Sequence, residues 1–230
     1  DERGQARALM IAQRLGVPEL LARVMAARGV EPEDAEAFLD PTIKRLMPDP
    51  HTLTDMEAAA LRIADAVTKG EQVAIFGDYD VDGATAAALL CRFLRHAGLD
   101  PIVHIPDRIF EGYGPNVDAI RSFRDRGASL LVTVDCGTTS HAVFEEAKTL
   151  GLDVVVLDHH QADEALPFAH AIVNPNRADD LSGLGHLAAV GIVFLTLVAV
   201  SRALRNRNFW IGTRSEPDLL SLLHLVALGT

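Results

Sequence analysis

The chain has 230 residues, 49% of them hydrophobic, and a formal net charge of −11. This length and apolar content suffice for a substantial core, in one domain or two small ones, and exclude a disordered low-complexity protein. The acidic balance argues against a broad cationic surface for nonspecific nucleic-acid binding, although carboxylates gathered around cations would not weigh against it.

Residues 1–70 read as a helical lead. Apolar residues fall at helical spacing over 6–15 and 20–27, with Gly16-Val17-Pro18 between them. Pro32 suits the first turn of a short helix to Leu39, ended by Asp40-Pro41. Thr54 or Asp55 is placed to cap a longer helix through Ala66, which Gly70 ends. From Gln72 the pattern alternates. Short apolar runs at 73–76, 102–105, 130–134, 154–157 and 171–173 predict strands, and 84–97, 117–126 and 139–150 predict the helices between them. Continuous apolar strands separated by helices predict an α/β fold, a parallel sheet covered on both faces, over residues 71–180. Residues 181–230 return to helix, at 188–204 and 218–228, and lead towards a part not contained in this chain.

The apolar stretch 187–200 contains Gly191 and Thr196 and is short for a membrane span, so a buried core helix is expected. No basic segment followed by an apolar one opens the chain. A cytoplasmic location with no membrane partner is the resulting expectation. Cys91 and Cys136 lack metal-pair spacing and are expected as buried thiols. The first residue is Asp1 rather than Met, and an apolar run reaches Gly229-Thr230; both are expected of a fragment.

The chemistry gathers at strand ends. Val73-Ala74-Ile75-Phe76 is followed by Gly77-Asp78-Tyr79-Asp80-Val81-Asp82-Gly83. In an extended backbone, residues two apart share a face, so Asp78, Asp80 and Asp82 would converge. Three clustered like charges demand neutralisation by a cation or by protonation. A calcium loop fits poorly, because Leu89 stands where an EF-hand needs its final Glu. Asp135 closes the run 130–134, and Asp158-His159-His160 closes 154–157. Ligands of parallel sheets bind beyond the carboxyl ends of the strands, where all three motifs fall. Carboxylates with an imidazole suit Mn²⁺, with Mg²⁺ close behind. The four charges of Asp78, Asp80, Asp82 and Asp135 match two divalent cations, which together activate water and stabilise the entering and departing oxygens of phosphoryl transfer.

These motifs, in this order, resemble the DHH phosphoesterase superfamily. Leu46-Met47-Pro48-Asp49-Pro50, Asp55-Met56, Glu111-Gly112-Tyr113-Gly114 and Val173-Asn174-Pro175 extend the resemblance to the bacterial RecJ nucleases over nearly the whole chain. The resemblance implies 5′-to-3′ degradation of single-stranded DNA in repair and recombination, with Mn²⁺ or Mg²⁺ as cofactor and helicase and single-strand-binding proteins as partners. It implies Asp80 and Asp82 as ligands with Asp78 taking part, Asp135 as the bridge, His159 as the imidazole ligand, Asp158 orienting the histidines, and His160 beside the scissile phosphate. Arg108, after another strand, is a candidate for a 5′-terminal phosphate, and Tyr113 for stacking on a base or sugar. His186 is expected as a helix-end or packing histidine. The family's next motif supplies a further Asp ligand after a segment like 225–230, so this chain alone is expected to hold one cation poorly or to have little activity. Two alternatives remain open: a DHH phosphatase acting on short oligonucleotides, cyclic dinucleotides or pyrophosphate, and a non-catalytic replication subunit.

Overall fold

A computed structural model describes residues 2–230. The backbone forms two compact units, Asp1–Pro48 and Asp49–Thr230. In the first, α1 (Glu2–Leu15) and α2 (Glu19–Ala27) pack against one another, followed by the short α3 (Ala35–Leu39) and α4 (Ile43–Leu46). Ala8, Ile11, Ala22, Met25, Ala26, Val30 and Ala35 form its small core. The chain reverses at Gly16, whose φ of 64° is the left-handed conformation that glycine adopts without steric cost.

The second unit is built on a five-stranded sheet, wholly parallel, in the order β2-β1-β3-β4-β5. The strands are β1 (Val73–Gly77), β2 (Ile102–His104), β3 (Leu130–Val134), β4 (Asp153–Leu157) and β5 (Ala171–Val173). Their alternating side chains feed two layers. Ala74, Phe76, Leu131, Val154, Val156 and Ile172 pack on Ile120 and Phe123 of α7 (Val117–Asp125) and on Phe144 and Ala147 of α8 (His141–Thr149). The remaining helices of the sheet, α5 (Met56–Lys69), α6 (Val81–His96) and α9 (Ala189–Asn206), pack together and against β5, β1 and β3 with β4 respectively. A turn at Leu219–Leu222 leads into α10 (Leu223–Gly229), which lies on α6. The α/β architecture expected from the sequence is present. Cys91 and Cys136 are buried free thiols.

Three details differ from expectation. The compact units divide between Pro48 and Asp49, not after residue 70, because Met56, Ala59, Ala60, Ile63 and Ala64 bury α5 in the sheet unit. Asp55 precedes α5 in a left-handed conformation and makes no side-chain cap there. Its carboxylate instead accepts from the Ile172 amide (3.1 Å) and the Arg177 guanidinium (2.7 Å), fastening α5 to β5. Helix α6 begins at Val81, three residues earlier than the pattern suggests, because Asp80 caps it by accepting from Gly83 N at 3.0 Å. Among the described residues, α9 is the one helix whose 18 residues are long and apolar enough to cross a membrane, yet 67% of it is buried inside the protein.

Gly83 makes that early start possible. A Cβ there would lie 2.5 Å from Asp78 O and 2.6 Å from Asp78 N, so only glycine lets α6 press on the acidic turn. Gly83→Ala should cost roughly 1–3 kcal/mol as the backbone shifts to relieve the overlap. Gly191→Ala, whose Cβ would meet nothing closer than Leu187 at 3.7 Å, should escape that penalty. Chemical denaturation of the two variants checks the contrast; equal stability would remove the steric argument.

Candidate metal centre

Register assembles the site. Gly77 pairs with Val134, Val134 with Leu157, and Leu157 with Val173, so four strands end on one line. The ladder runs one step further: Asp78 N donates to Val134 O, Asp135 N to Leu157 O, and Asp158 N to Val173 O. Asp78, Asp135, Asp158 and Asn174 therefore stand side by side at the carboxyl edge, on neighbouring strands spaced about 4.8 Å apart.

Asp78, Asp80 and Asp135 each offer an oxygen within 4.8 Å of the others. Asp135, His159 and His160 form a second such group, so Asp135 is common to both. Asp82 does not join either group. Three carboxylates on one extended face, as the sequence suggests, are not formed: Asp80 is still extended, but the backbone turns helical at Val81, and Asp82 lies inside the first turn of α6. Its two oxygens accept from Ala189 N and Val190 N, each at 2.8 Å, at the start of α9. It still lies 3.6 Å from His159 Nε2, at the border of the cluster.

The donor set fits a cation. Asp135 is 1% exposed, and both of its carboxylate oxygens are buried without a hydrogen bond, as is Asp78 Oδ1. Buried carboxylate oxygens are ordinarily hydrogen-bonded, so these are donors lacking an acid. Burial, reinforced by the charges of Asp82 and Asp80, pushes the Asp135 carboxyl up to about 6 despite His159 beside it. Burial also raises Asp78. His159 Nδ1 lies 3.1 Å from the Leu187 carbonyl, which orients the ring and points Nε2 at Asp135 Oδ1, 3.1 Å away. Beside that carboxylate the imidazole is held protonated above its usual range. A metal-ligating histidine commonly donates its other N–H to a carbonyl in this way.

Asp158 has a different role. Buried, it accepts from Thr138 N (3.0 Å), Thr138 Oγ1 (2.6 Å), His159 N (2.8 Å) and His160 N (3.2 Å), and pairs with His160 Nδ1 at 2.8 Å. Burial alone would raise its carboxyl, but the bonds from His160 and Thr138 prevail and leave it at about 2. The same bond raises His160 to about 9, so at neutral pH this imidazole is a cation. Tyr113 reaches over from the loop after β2, its hydroxyl 3.3 Å from His160 Nδ1 and 3.4 Å from the Asp135 carbonyl. Arg108, on that loop, makes no ion pair with Asp107 or Glu111; its guanidinium lies over the Tyr79 ring at 5.2 Å from the centroid, and its charge is felt at Asp78. His186 does not belong to either donor group.

The profile of the DHH family, N-terminal domain, matches residues 72–230. The chain belongs to the DHH family. It is 39% identical over 217 residues to the single-stranded-DNA-specific exonuclease RecJ of Salmonella typhimurium, covering 93% of this chain and 37% of that protein. It is similar to the crystal structure of RecJ from Thermus thermophilus in complex with Mn²⁺, with a TM-score of 0.76 and 28% identity over 98% of this chain and 30% of that one. The Mg²⁺ complex gives a TM-score of 0.62 and 26% identity over 98% and 26% of the two chains. The chain thus spans 37% of the length of the Salmonella relative.

Two residues of this DHH-family site have no role assigned from the sequence: Asn174, named there only within a matching motif, and Asn176, not named at all. Asn174 donates to Thr138 Oγ1 (2.9 Å) and to the His160 carbonyl (2.8 Å), while Asn176 donates to the His159 carbonyl (2.5 Å). Together they clamp the histidine loop from β5. The signal in the sequence was Asn174-Pro175 at the end of an apolar run, in the position held by an acid on the neighbouring strands.

Mn²⁺ binding should strengthen as pH rises from about 5 towards 8, because Asp135 must lose its proton near 6 and His159 above its normal range before either can ligate. Asp135→Asn should abolish the strong component. Titration calorimetry and Mn²⁺ electron paramagnetic resonance measure both; a pH-independent affinity retained by the variant would rule this centre out.

Proposed function

We propose that this chain is the metal-binding core of a 5′-to-3′ exonuclease that hydrolyses phosphodiester bonds of single-stranded DNA in repair and recombination. The observation behind the reading is that buried Asp135, whose oxygens accept no well-formed hydrogen bond, is shared between a carboxylate group with Asp78 and Asp80 and an imidazole group with His159 and His160. Asp78, Asp80, Asp135 and His159 would hold the divalent cations, Mn²⁺ or Mg²⁺, and the crystal structures of RecJ with each ion support the choice. Asp82 belongs to this reading as the carboxylate bordering His159. When bound, the pair of ions activates water and offsets charge on both oxygens of the phosphoryl transfer.

The residues of the chain supply the rest. Asp158 keeps His160 protonated and fixed, so that its imidazolium is a hydrogen-bond donor to an oxygen of the scissile phosphate. Tyr113 sits over His160 and borders the place of the terminal nucleotide. Arg108, without a carboxylate partner among the described residues and held on the Tyr79 ring, receives the 5′-terminal phosphate through its planar donor fork. The cytoplasmic setting and the helicase and single-strand-binding partners belong to the same reading.

The intact protein with Mn²⁺ should release mononucleotides from the 5′ end of long single strands much faster than it cleaves dinucleotides. The opposite preference would favour a small-substrate phosphatase, and no hydrolysis with Mn²⁺ bound would favour a non-catalytic subunit. Arg108→Ala should lower the preference for 5′-phosphorylated over 5′-hydroxyl strands by roughly tenfold to hundredfold, the value of one or two charge-assisted hydrogen bonds. An unchanged preference would remove Arg108 from the phosphate site.

A further inference from the structure

The loop joining β2 to α7 carries a hydrogen-bonded apolar tip. Asp107 Oδ1 accepts from Ile109 N at 2.8 Å and Phe110 N at 3.2 Å, closing a tight turn. Glu111 locks it from the other side. Its carboxylate accepts from Asp107 N (3.0 Å) and Asn116 Nδ2 (3.1 Å) and pairs with His104 (2.8 Å), while its amide donates to Asp107 O (2.8 Å). Here Ile109 is 84% exposed and Phe110 is 85% exposed. Holding two adjacent large hydrophobic side chains in water is unfavourable unless a ligand covers them.

The place of this tip indicates what the ligand is. Arg108 precedes it and faces Tyr79, next to Asp78. Tyr113 follows it and reaches His160 and the Asp135 carbonyl. Apolar and aromatic faces interleaved with a cation beside a phosphate-directed centre make the pattern by which proteins hold single strands, bases stacking on the apolar faces while phosphates meet the charge. We propose that Ile109 and Phe110 form a base-stacking ledge for a single-stranded polynucleotide whose phosphates lie towards Arg108 and the acidic cluster. This deepens the single-strand reading above and rests on it. Because stacking reads the π-face that every base carries, the ledge holds the strand without choosing its sequence.

The test uses the intact protein and two 3′-fluorescein strands carrying 5′-phosphates, one oligothymidylate and one with abasic residues at its 5′-proximal positions. Anisotropy is measured with Ca²⁺ in place of Mn²⁺, and gels verify that the strands stay whole. The unaltered protein should bind the thymidylate strand roughly 5- to 100-fold more tightly than the abasic one, the range expected for stacking a base. Phe110→Ala and the double variant Ile109→Ser/Phe110→Ser should bring that ratio towards parity by weakening thymidylate binding. Both side chains are exposed, so circular dichroism should show the variants folded. A ratio near parity in the unaltered protein, or a full ratio kept by the double variant, overturns the ledge. Protection of Phe110→Cys from maleimide in the strand-free protein also overturns it, because another part of the protein would then cover the tip. Binding needs no turnover, so loss of Mn²⁺-dependent hydrolysis with the ratio intact would count against the nuclease reading and leave the ledge standing.

Discussion

Parallel strands ending on a common line are the constraint on which everything else depends. Because Gly77, Val134, Leu157 and Val173 are in register, the next residue of each strand is delivered to the same edge of the sheet. Three of those four residues are acids, and side chains in adjacent rows cannot move apart without breaking the ladder. The fold spends its stability on holding together groups that repel one another. It compensates one of them, Asp158, with five donors, and leaves Asp135 with none of good geometry. That inequality separates a carboxylate that organises the loop from one whose oxygens are available to a cation.

Asp135 carries a second sign of this division. Its φ of 62° is left-handed, a conformation that costs a non-glycine residue stability and persists only where surrounding contacts enforce it. The enforcing contacts are visible: its amide is held by Leu157 O and its carbonyl meets the Tyr113 hydroxyl. The turn after β3 thus directs a charge inwards, where an extended continuation would carry the chain on past the sheet edge.

The sheet and the three acidic motifs were legible because both depend on local pattern. Continuous apolar runs of four or five residues mark strands buried on both faces, and a polar residue following each marks the crevice. What remained hidden depends on partners distant in sequence. Nothing around Asp82 announces that its oxygens meet amides 107 and 108 residues away. Asp55 looks like a helix cap and bonds instead to Ile172 and Arg177. Asn174 and Asn176 act on a loop fixed only once β4 and β5 are paired. The start of α6 was misplaced because a run of Asp and Gly reads as turn, whereas Asp80 capping turned it into the first helical turn.

Asp82 also joins the acidic cluster to the interior of the protein. The helix it anchors, α9, is largely buried and packs on α5, α6 and two strands. A single carboxylate therefore belongs at once to the hydrophobic core and to the border of the charged centre. A change of charge at that centre acts directly on the carboxylate that holds the Ala189 and Val190 amides. Amide-hydrogen exchange at Ala189 and Val190 would then register a cation at the centre without any nucleic acid in the tube.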